Sequence, residues 1–443
     1  MSGGPGGAAD GARSLSQRDA ACLWHPYTQH GSDGAPLEVA AARGATLTLA
    51  DGREVIDAIS AWWTCLHGHG EPRLIEAAER QARRLDHVAF AGATHEPAVA
   101  LAEALLAVAP RGATPLARVF FSDDGSTAVE VALKIAFHFH AQRGATRRRK
   151  FLVFEGGYHG DTVGAMSVGD PDPYFAAFAP LLFEVVRVPV DAAAFEAAFD
   201  AAEPELAAVL IEPLVQGAAG MRMHAPALLQ AIDRRCRAAG VPWIADEVFT
   251  GFGRTGTLFA CQQAGVAPDL LCLAKGLTSA MFPLAATLAT EELFEAFRAP
   301  ERRRMLAHGH SLTAQPIGCA VALESLRLSQ ERDVAARLAR IGARIAAGLA
   351  PLVKDSRVLG LRRRGGIVAF DLAPQAAAAN GSTSGAGYFT ARAPRLRAAA
   401  IERGVLLRPL GDVIYACPPA CTTDAQCDAI AAAMRSLVEV TFL

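Results

Sequence analysis

From about residue 116 to residue 275, short apolar runs alternate with longer stretches in which apolar residues recur every three or four positions. Arg118-Val-Phe-Phe121, Lys150–Phe154, Ala207–Ile211, Pro242–Ala245 and Leu270–Leu273 are short apolar runs and read as strands buried in a sheet. The segment Ser126–Arg143 sets Ala128, Val131, Ala132, Ile135 and Phe139 on one face of a helix. Strands that alternate with helices predict an α/β fold with a mainly parallel sheet.

The two ends carry a different pattern. Thr46–Leu49 and Glu54–Asp57 are strand signals separated by a turn at Asp51-Gly52. An Ala/Arg/Leu helix is expected at about 330–350, followed by strands near Gly366–Leu372 and Gly404–Leu407. The expected organisation is a disordered leader over 1–20, an N-terminal part of a small domain over 21–75, a large domain over 76–328 and the C-terminal small domain over 329–443. Ala376–Gly387 is low in complexity and reads as a flexible loop.

Composition narrows the class only a little. The chain has 443 residues, 51% hydrophobic and 20% charged, with a formal net charge of −2. That fits a globular enzyme and gives no electrostatic reason to expect nucleic acid. Arg147-Arg-Arg-Lys150 is the only basic block and reads as a solvated loop. Nine scattered cysteines, with no Cys-x-x-Cys pair, give neither a disulfide framework nor metal-ligand spacing. The N-terminus lacks the basic-then-apolar order of a signal peptide, and no apolar stretch is long enough to cross a bilayer. The expectation is a cytoplasmic protein without a metal.

The chemistry concentrates at strand ends. Asp246 ends Val241-Pro-Trp-Ile-Ala-Asp246, and Lys275 ends Asp269-Leu-Leu-Cys-Leu-Ala-Lys275. In an α/β sheet the ligand crevice lies beyond the carboxyl ends of the strands, so the two side chains can share one small molecule. A carbonyl cofactor such as pyridoxal phosphate requires an amine for a Schiff base and an anion to keep its ring nitrogen protonated. Asp246 is also placed to be an ordinary helix cap. A solvated lysine fits poorly at position 275, because the residues before it are apolar and desolvation favours the free amine.

Ser122-Asp-Asp-Gly125-Ser126-Thr127 leaves a strand and opens a helix, as a phosphate cradle does, although the same residues make an ordinary N-cap. Glu155-Gly-Gly-Tyr158-His159-Gly160-Asp161-Thr162 follows the next strand and allows a Tyr or His to lie flat on a planar ring. Trp62 and Trp63, read as strand neighbours, would point to opposite sides, one to a pocket and one to the core. Arg408, expected at the end of a late strand, is either a surface residue or a two-pronged clamp for a carboxylate.

Together these motifs resemble the class III aminotransferases of fold type I. The resemblance runs from about Leu23 to the C-terminus. It is carried by Trp24-His-Pro-Tyr27-Thr, Ser60-Ala-Trp62-Trp63, Gly157–Thr162, Ile211-Glu-Pro-Leu-Val-Gln-Gly217, Ala245-Asp246-Glu247 with Thr250-Gly-Phe-Gly-Arg-Thr-Gly256, and Leu273-Ala-Lys275-Gly276. The Trp pair and His-Pro-Tyr-Thr point to the branch that converts 8-amino-7-oxononanoate to 7,8-diaminononanoate in biotin biosynthesis.

The resemblance implies a homodimer that uses pyridoxal 5'-phosphate, with a smaller α/β domain built from both chain ends. Lys275 is then the covalent anchor, Asp246 the partner of the pyridine nitrogen, and Tyr27 the third catalytic residue. Gly125 and Ser126 hold the phosphate, and Tyr158 stacks on the ring. Tyr27, Trp62, Tyr158 and Asp161 shape the substrate pocket, and Arg408 takes the oxo-acid carboxylate. Gly309, His310 and Ser311 approach the neighbouring subunit's cofactor. S-adenosylmethionine is the implied donor, with lysine as the alternative. His310-Ser311 replaces a usual Pro-Thr, and Asp124 replaces a usual Ser. Competing readings are an ω-amino acid aminotransferase, disfavoured by the Trp pair, and a transcriptional regulator on an aminotransferase scaffold, disfavoured by the short N-terminal leader.

Overall fold

The computed structural model describes residues 13–172, 175–374 and 392–442. Residues 15–20, expected within a disordered leader, form the helix Leu15–Ala20 instead. Ser14 caps it by accepting a hydrogen bond from Gln17 N, and Gln17 Oε1 accepts one from Ser14 N. The expected loop over 376–387 lies outside the described residues.

Seven strands form the main sheet, in the spatial order Leu116–Ser122, Ala285–Thr290, Leu270–Leu273, Trp243–Asp246, Leu206–Ile211, Lys150–Phe154, Val186–Val188. Only Ala285–Thr290 runs against the rest, pairing antiparallel with both of its neighbours. Leu206–Ile211, Trp243–Asp246 and Leu270–Leu273 are buried at every residue, which is why the sequence shows them as unbroken apolar runs. Alternate residues feed two cores, one on each face of the sheet. Trp243, Ala245, Leu271 and Leu273 pack into one, and Ile244, Leu270 and Cys272 into the other. The helix Gly125–Gln142 covers the second face through Ala128, Val131, Ala132, Ile135 and Phe139.

Both chain ends meet in a second sheet. Val39–Arg43, Thr46–Leu49 and Glu54–Asp57 form an antiparallel meander, and Val405–Leu406 adds in parallel beside Glu54–Asp57. A third, antiparallel sheet joins Val358–Arg364, Ile367–Leu372 and Val413–Ala416. The helix Val334–Gly348 packs against the helix Asp424–Phe442 in a separate core with Ile345, Leu349, Met434 and Leu437. The left-handed Asp333 separates it from the preceding helix Pro316–Glu331 and caps its start through Ala336 N.

Candidate active site

Five parallel strands deliver their carboxyl ends to one crevice, which gathers residues 122–126, 155–162, 212–217, 246 and 275. The Trp243–Asp246 and Leu270–Leu273 strands are direct parallel neighbours, with Asp246 opposite Cys272. Lys275 follows three residues later, so the sheet itself brings the carboxylate and the amine together.

Asp246 is buried, and both of its oxygens are engaged. Oδ1 accepts from Val248 N at 3.1 Å, and Oδ2 accepts from His159 Nδ1 at 2.6 Å. His159 is buried as well, so it orients the carboxylate from behind and does not lie on a ring in the crevice. Glu247, the other half of the Asp-Glu pair, turns away and accepts from Ala260 N at 2.7 Å and Cys261 N at 2.9 Å. One acid serves the crevice and its neighbour serves the fold.

Lys275 is in the left-handed region, with φ 37°. Burial pulls its amine below the ordinary value, while Asp246, Glu212 and Asp161 act in the opposite direction. Its Nζ lies 5.2 Å from the centre of the Trp63 ring. The chain has four lysines. Lys134 bonds His308, Lys150 pairs with Glu205 and Lys354 is exposed. Lys275 alone stands at the carboxyl ends of the strands.

Glu212 is a buried acid that the residue reading did not single out, although it lies in one of the quoted motifs. Its carboxylate accepts from Tyr158 N at 3.1 Å and Gly217 N at 2.9 Å. Burial raises it to about 7, with His159 opposing that shift and Asp246 adding to it. It ties the Tyr158 loop to the Gly217 loop across the crevice.

Tyr158 stacks on Phe175, with ring centres 6.0 Å apart and planes inclined by 22°. Its hydroxyl and that of Tyr27 both donate to Asp161 Oδ1, at 3.0 and 2.6 Å. Tyr27 comes from the irregular segment before the second sheet, so two distant stretches of chain meet at one carboxylate.

Gly125 and Ser126 stand at a helix start, as the sequence pattern predicts. Gly125 begins its helix, and a β-carbon there would lie 2.6 Å from Val248 Cγ1. Gly160 has φ +119°, and a β-carbon on it would collide with Ser126. Ser126 Oγ is 2.7 Å from Thr162 Oγ1 and accepts from Thr162 N at 3.0 Å. Close backbone approach, hydroxyls and the amides of an 18-residue helix start together suit a phosphate monoester. With the Lys275 amine and the Asp246 carboxylate in the same crevice, the residues fit an aldehyde cofactor that bears a phosphate and a ring nitrogen.

Asp124 does not face that cradle as a bare charge. It is the N-cap and accepts from Thr127 N at 2.8 Å, while Thr127 Oγ1 accepts from Asp124 N at 3.1 Å. Asp124→Ala is expected to lower the unfolding free energy by about 1 kcal/mol in chemical denaturation. No loss of stability would show that the cap contributes nothing. His310 Nε2 lies 3.8 Å from Asp123 Oδ1, and Ser311 O accepts from His87 Nε2 at 2.7 Å, so Gly309–Ser311 stands beside the chain's own phosphate-cradle loop.

The Trp pair is not a strand. Ser60, Ala61, Trp62 and Trp63 have φ of 50°, 47°, 69° and 74°, a left-handed turn of four non-glycine residues. Each left-handed residue costs about 1–2 kcal/mol, so tertiary contacts must hold it. The division of labour also differs from the expectation. Trp63 is buried and donates from Nε1 to Tyr415 OH at 3.0 Å, yet it also borders Lys275. Trp62 is half-buried, with Tyr27 edge-on at 5.8 Å and the Arg408 guanidinium over its ring at 4.1 Å.

Arg408 is two residues beyond the short strand Val405–Leu406, not at its end, and its buried Nε has no hydrogen-bond partner among the described residues. Arg397, which sequence reading missed, lies near it. Its guanidinium is held below the ordinary value by burial first and by Arg408 second, with Asp33 opposing.

A family model described as aminotransferase class-III matches residues 27–438. The chain is 46% identical over 431 residues to an adenosylmethionine-8-amino-7-oxononanoate aminotransferase from Synechococcus elongatus, covering 94% of this chain and 98% of the relative. Among solved structures it is similar to the adenosylmethionine-8-amino-7-oxononanoate aminotransferase of Methanocaldococcus jannaschii. That match has a TM-score of 0.89 and 31% identity and covers 96% of this chain and 98% of the other. It is also similar to an ω-transaminase from Pseudomonas jessenii in complex with PMP, with a TM-score of 0.86 and 27% identity over 97% of this chain and 98% of that one.

Proposed function

The chain belongs to the class III aminotransferase family, and on that premise we propose that it aminates 8-amino-7-oxononanoate to 7,8-diaminononanoate with pyridoxal 5'-phosphate as cofactor. The observation that carries the reading is Lys275 and buried Asp246 at the ends of neighbouring parallel strands, above a glycine-lined helix start.

When bound, the cofactor supplies an aldehyde and a protonated ring that withdraws electrons from the bond broken at the substrate. Lys275 would be the covalent anchor, and its amine is placed to take up and return the proton that the substrate carbon gives up. Asp246 holds the proton on the ring nitrogen, and His159 fixes that carboxylate in place. Tyr158 covers the ring. The amides and hydroxyl of Gly125 and Ser126 take the phosphate. Tyr27 and Asp161 form the polar edge of the substrate pocket. The protein works as a cytoplasmic homodimer, with Gly309, His310 and Ser311 completing the site across the interface. S-adenosylmethionine is the amino donor, and lysine is the second candidate.

The substrate assignment rests on the names of the relatives and on Trp62 with Arg408. An aliphatic oxo acid with one remote carboxylate fits an aromatic wall capped by one guanidinium. A second reading, transamination of ω-amino acids, is favoured by the similarity to the ω-transaminase fold, at lower identity. Arg408→Ala tests the part of the first reading that assigns the oxo-acid carboxylate to this arginine. A charge-assisted contact contributes about 1.5–3 kcal/mol, so the KM for 8-amino-7-oxononanoate is expected to rise about 10- to 100-fold. Steady-state kinetics that vary each substrate separately measure this. An unchanged KM would remove Arg408 from the site.

A further inference from the structure

The four-residue left-handed turn at Ser60–Trp63 is the most strained non-glycine backbone at the site, and a buried ionic cluster surrounds it. We propose that Asp57, His69 and Arg254 form a positioning strap that sets the Trp62 indole against Arg408 and so fixes the affinity for the oxo acid's chain. This deepens the substrate reading above and rests on it.

Asp57 is fully buried. Oδ1 accepts from Ile59 N at 3.1 Å, and Oδ2 accepts from Ala61 N at 2.7 Å and His69 Nε2 at 2.9 Å. The carboxylate therefore grips the backbone of the turn from below. Arg254 grips it from the other side, out of the Thr250–Gly256 loop. Nη1 donates to Ser60 Oγ and to Pro418 O at 3.1 Å each, and Nη2 donates to Trp63 O at 3.1 Å. Ser60 Oγ passes its own proton to Cys417 O at 2.7 Å. Asp57 and Arg254 thus bracket Trp62 on both sides in sequence while touching no part of its ring.

Buried ion clusters are poor devices for stability, since well-packed apolar residues serve as well or better. They are effective at fixing one geometry. Here the geometry delivers a half-buried indole to the crevice, with Arg408 over one face and Tyr27 at its edge. A wall displaced by an ångström changes binding of the part of the substrate that does not react, which appears in KM more than in kcat.

Asp57→Asn leaves one acceptor oxygen, so the contact from Ile59 N on one side and those from Ala61 N and His69 Nε2 on the other cannot all survive. The expected result is a KM for 8-amino-7-oxononanoate raised about tenfold, with kcat within about twofold of wild type. In a Trp62→Ala background the same substitution is expected to change KM by less than about twofold, because the strap acts through that ring. Equal effects in the two backgrounds would overturn the proposal. Ser60→Ala, which removes one hydroxyl from the cluster, provides a second variant if Asp57→Asn fails to fold. It is expected to raise KM in the same direction and to lose that effect in Trp62→Ala.

Fluorescence separates this inference from the substrate reading. The emission attributable to Trp62, isolated by subtracting the spectrum of Trp62→Phe, is expected to shift to the red in Asp57→Asn whatever the substrate. An unshifted emission overturns the strap. Failure of the wild type to turn over the oxo acid overturns the substrate reading alone.

Discussion

Lys275→Ala is expected to lose turnover by about 10⁴-fold or more, and to lose covalent attachment of the cofactor at the same time. In the proposed site one amine has both roles, anchoring the cofactor and moving the proton, so its loss removes both together. Of the four lysines, Lys134 and Lys150 are occupied by His308 and Glu205 and Lys354 is on the surface, none of them at the carboxyl ends of the strands. Burial holds the Lys275 amine below its ordinary value, which keeps more of it uncharged and nucleophilic near neutral pH than a solvated lysine. Borohydride reduction of the wild type, followed by peptide mass spectrometry, should find the pyridoxyl adduct on Lys275 and none on the alanine variant. An adduct on another lysine would overturn the assignment.

Asp246→Asn is expected to leave the cofactor bound and anchored while slowing the proton-transfer step about 10²- to 10³-fold. The substitution keeps the shape of the side chain and one acceptor oxygen for Val248 N, but removes the charge that holds a proton on the ring nitrogen. The atom then facing His159 Nδ1, 2.6 Å from Oδ2 in the native protein, is the amide nitrogen, a donor where the carboxylate accepted. Stopped-flow observation of the donor half-reaction measures the step directly. A near-native rate would reduce Asp246 to a structural residue capping Val248.

Much of the main sheet was legible because fully buried parallel strands write themselves as apolar runs, and Lys150–Phe154 and Leu270–Leu273 begin and end where the sequence sets them. Ala285–Thr290 was not legible. Ala-Ala-Thr-Leu-Ala-Thr has little β-branched or aromatic content, and it is a strand because it lies between two others and pairs with both. The site divides in the same way. Asp246, Lys275 and Gly125 follow directly from strand ends and a helix start, which are local signals.

The shape of Ser60–Trp63 has no local signal, since its conformation is imposed by Asp57 and by Arg254, 194 residues from Ser60. Two adjacent tryptophans read naturally as a strand, and only tertiary contacts turn them left-handed. The residues alone leave open which of Tyr158 and His159 would lie on a ring, because the partner of His159, Asp246, is 87 residues away. Asp124, where a Ser is usual, caps the helix start by accepting from a backbone amide.

The central claim is that this site transfers an amino group to 8-amino-7-oxononanoate. The most direct measurement incubates purified protein and pyridoxal phosphate with that oxo acid and, in parallel, with S-adenosylmethionine or lysine, and quantifies 7,8-diaminononanoate by mass spectrometry. The account predicts diamine that depends on the oxo acid, on a donor and on an intact Lys275, with S-adenosylmethionine the better donor. Absence of the diamine with either donor, from protein that carries its cofactor on Lys275, would contradict it.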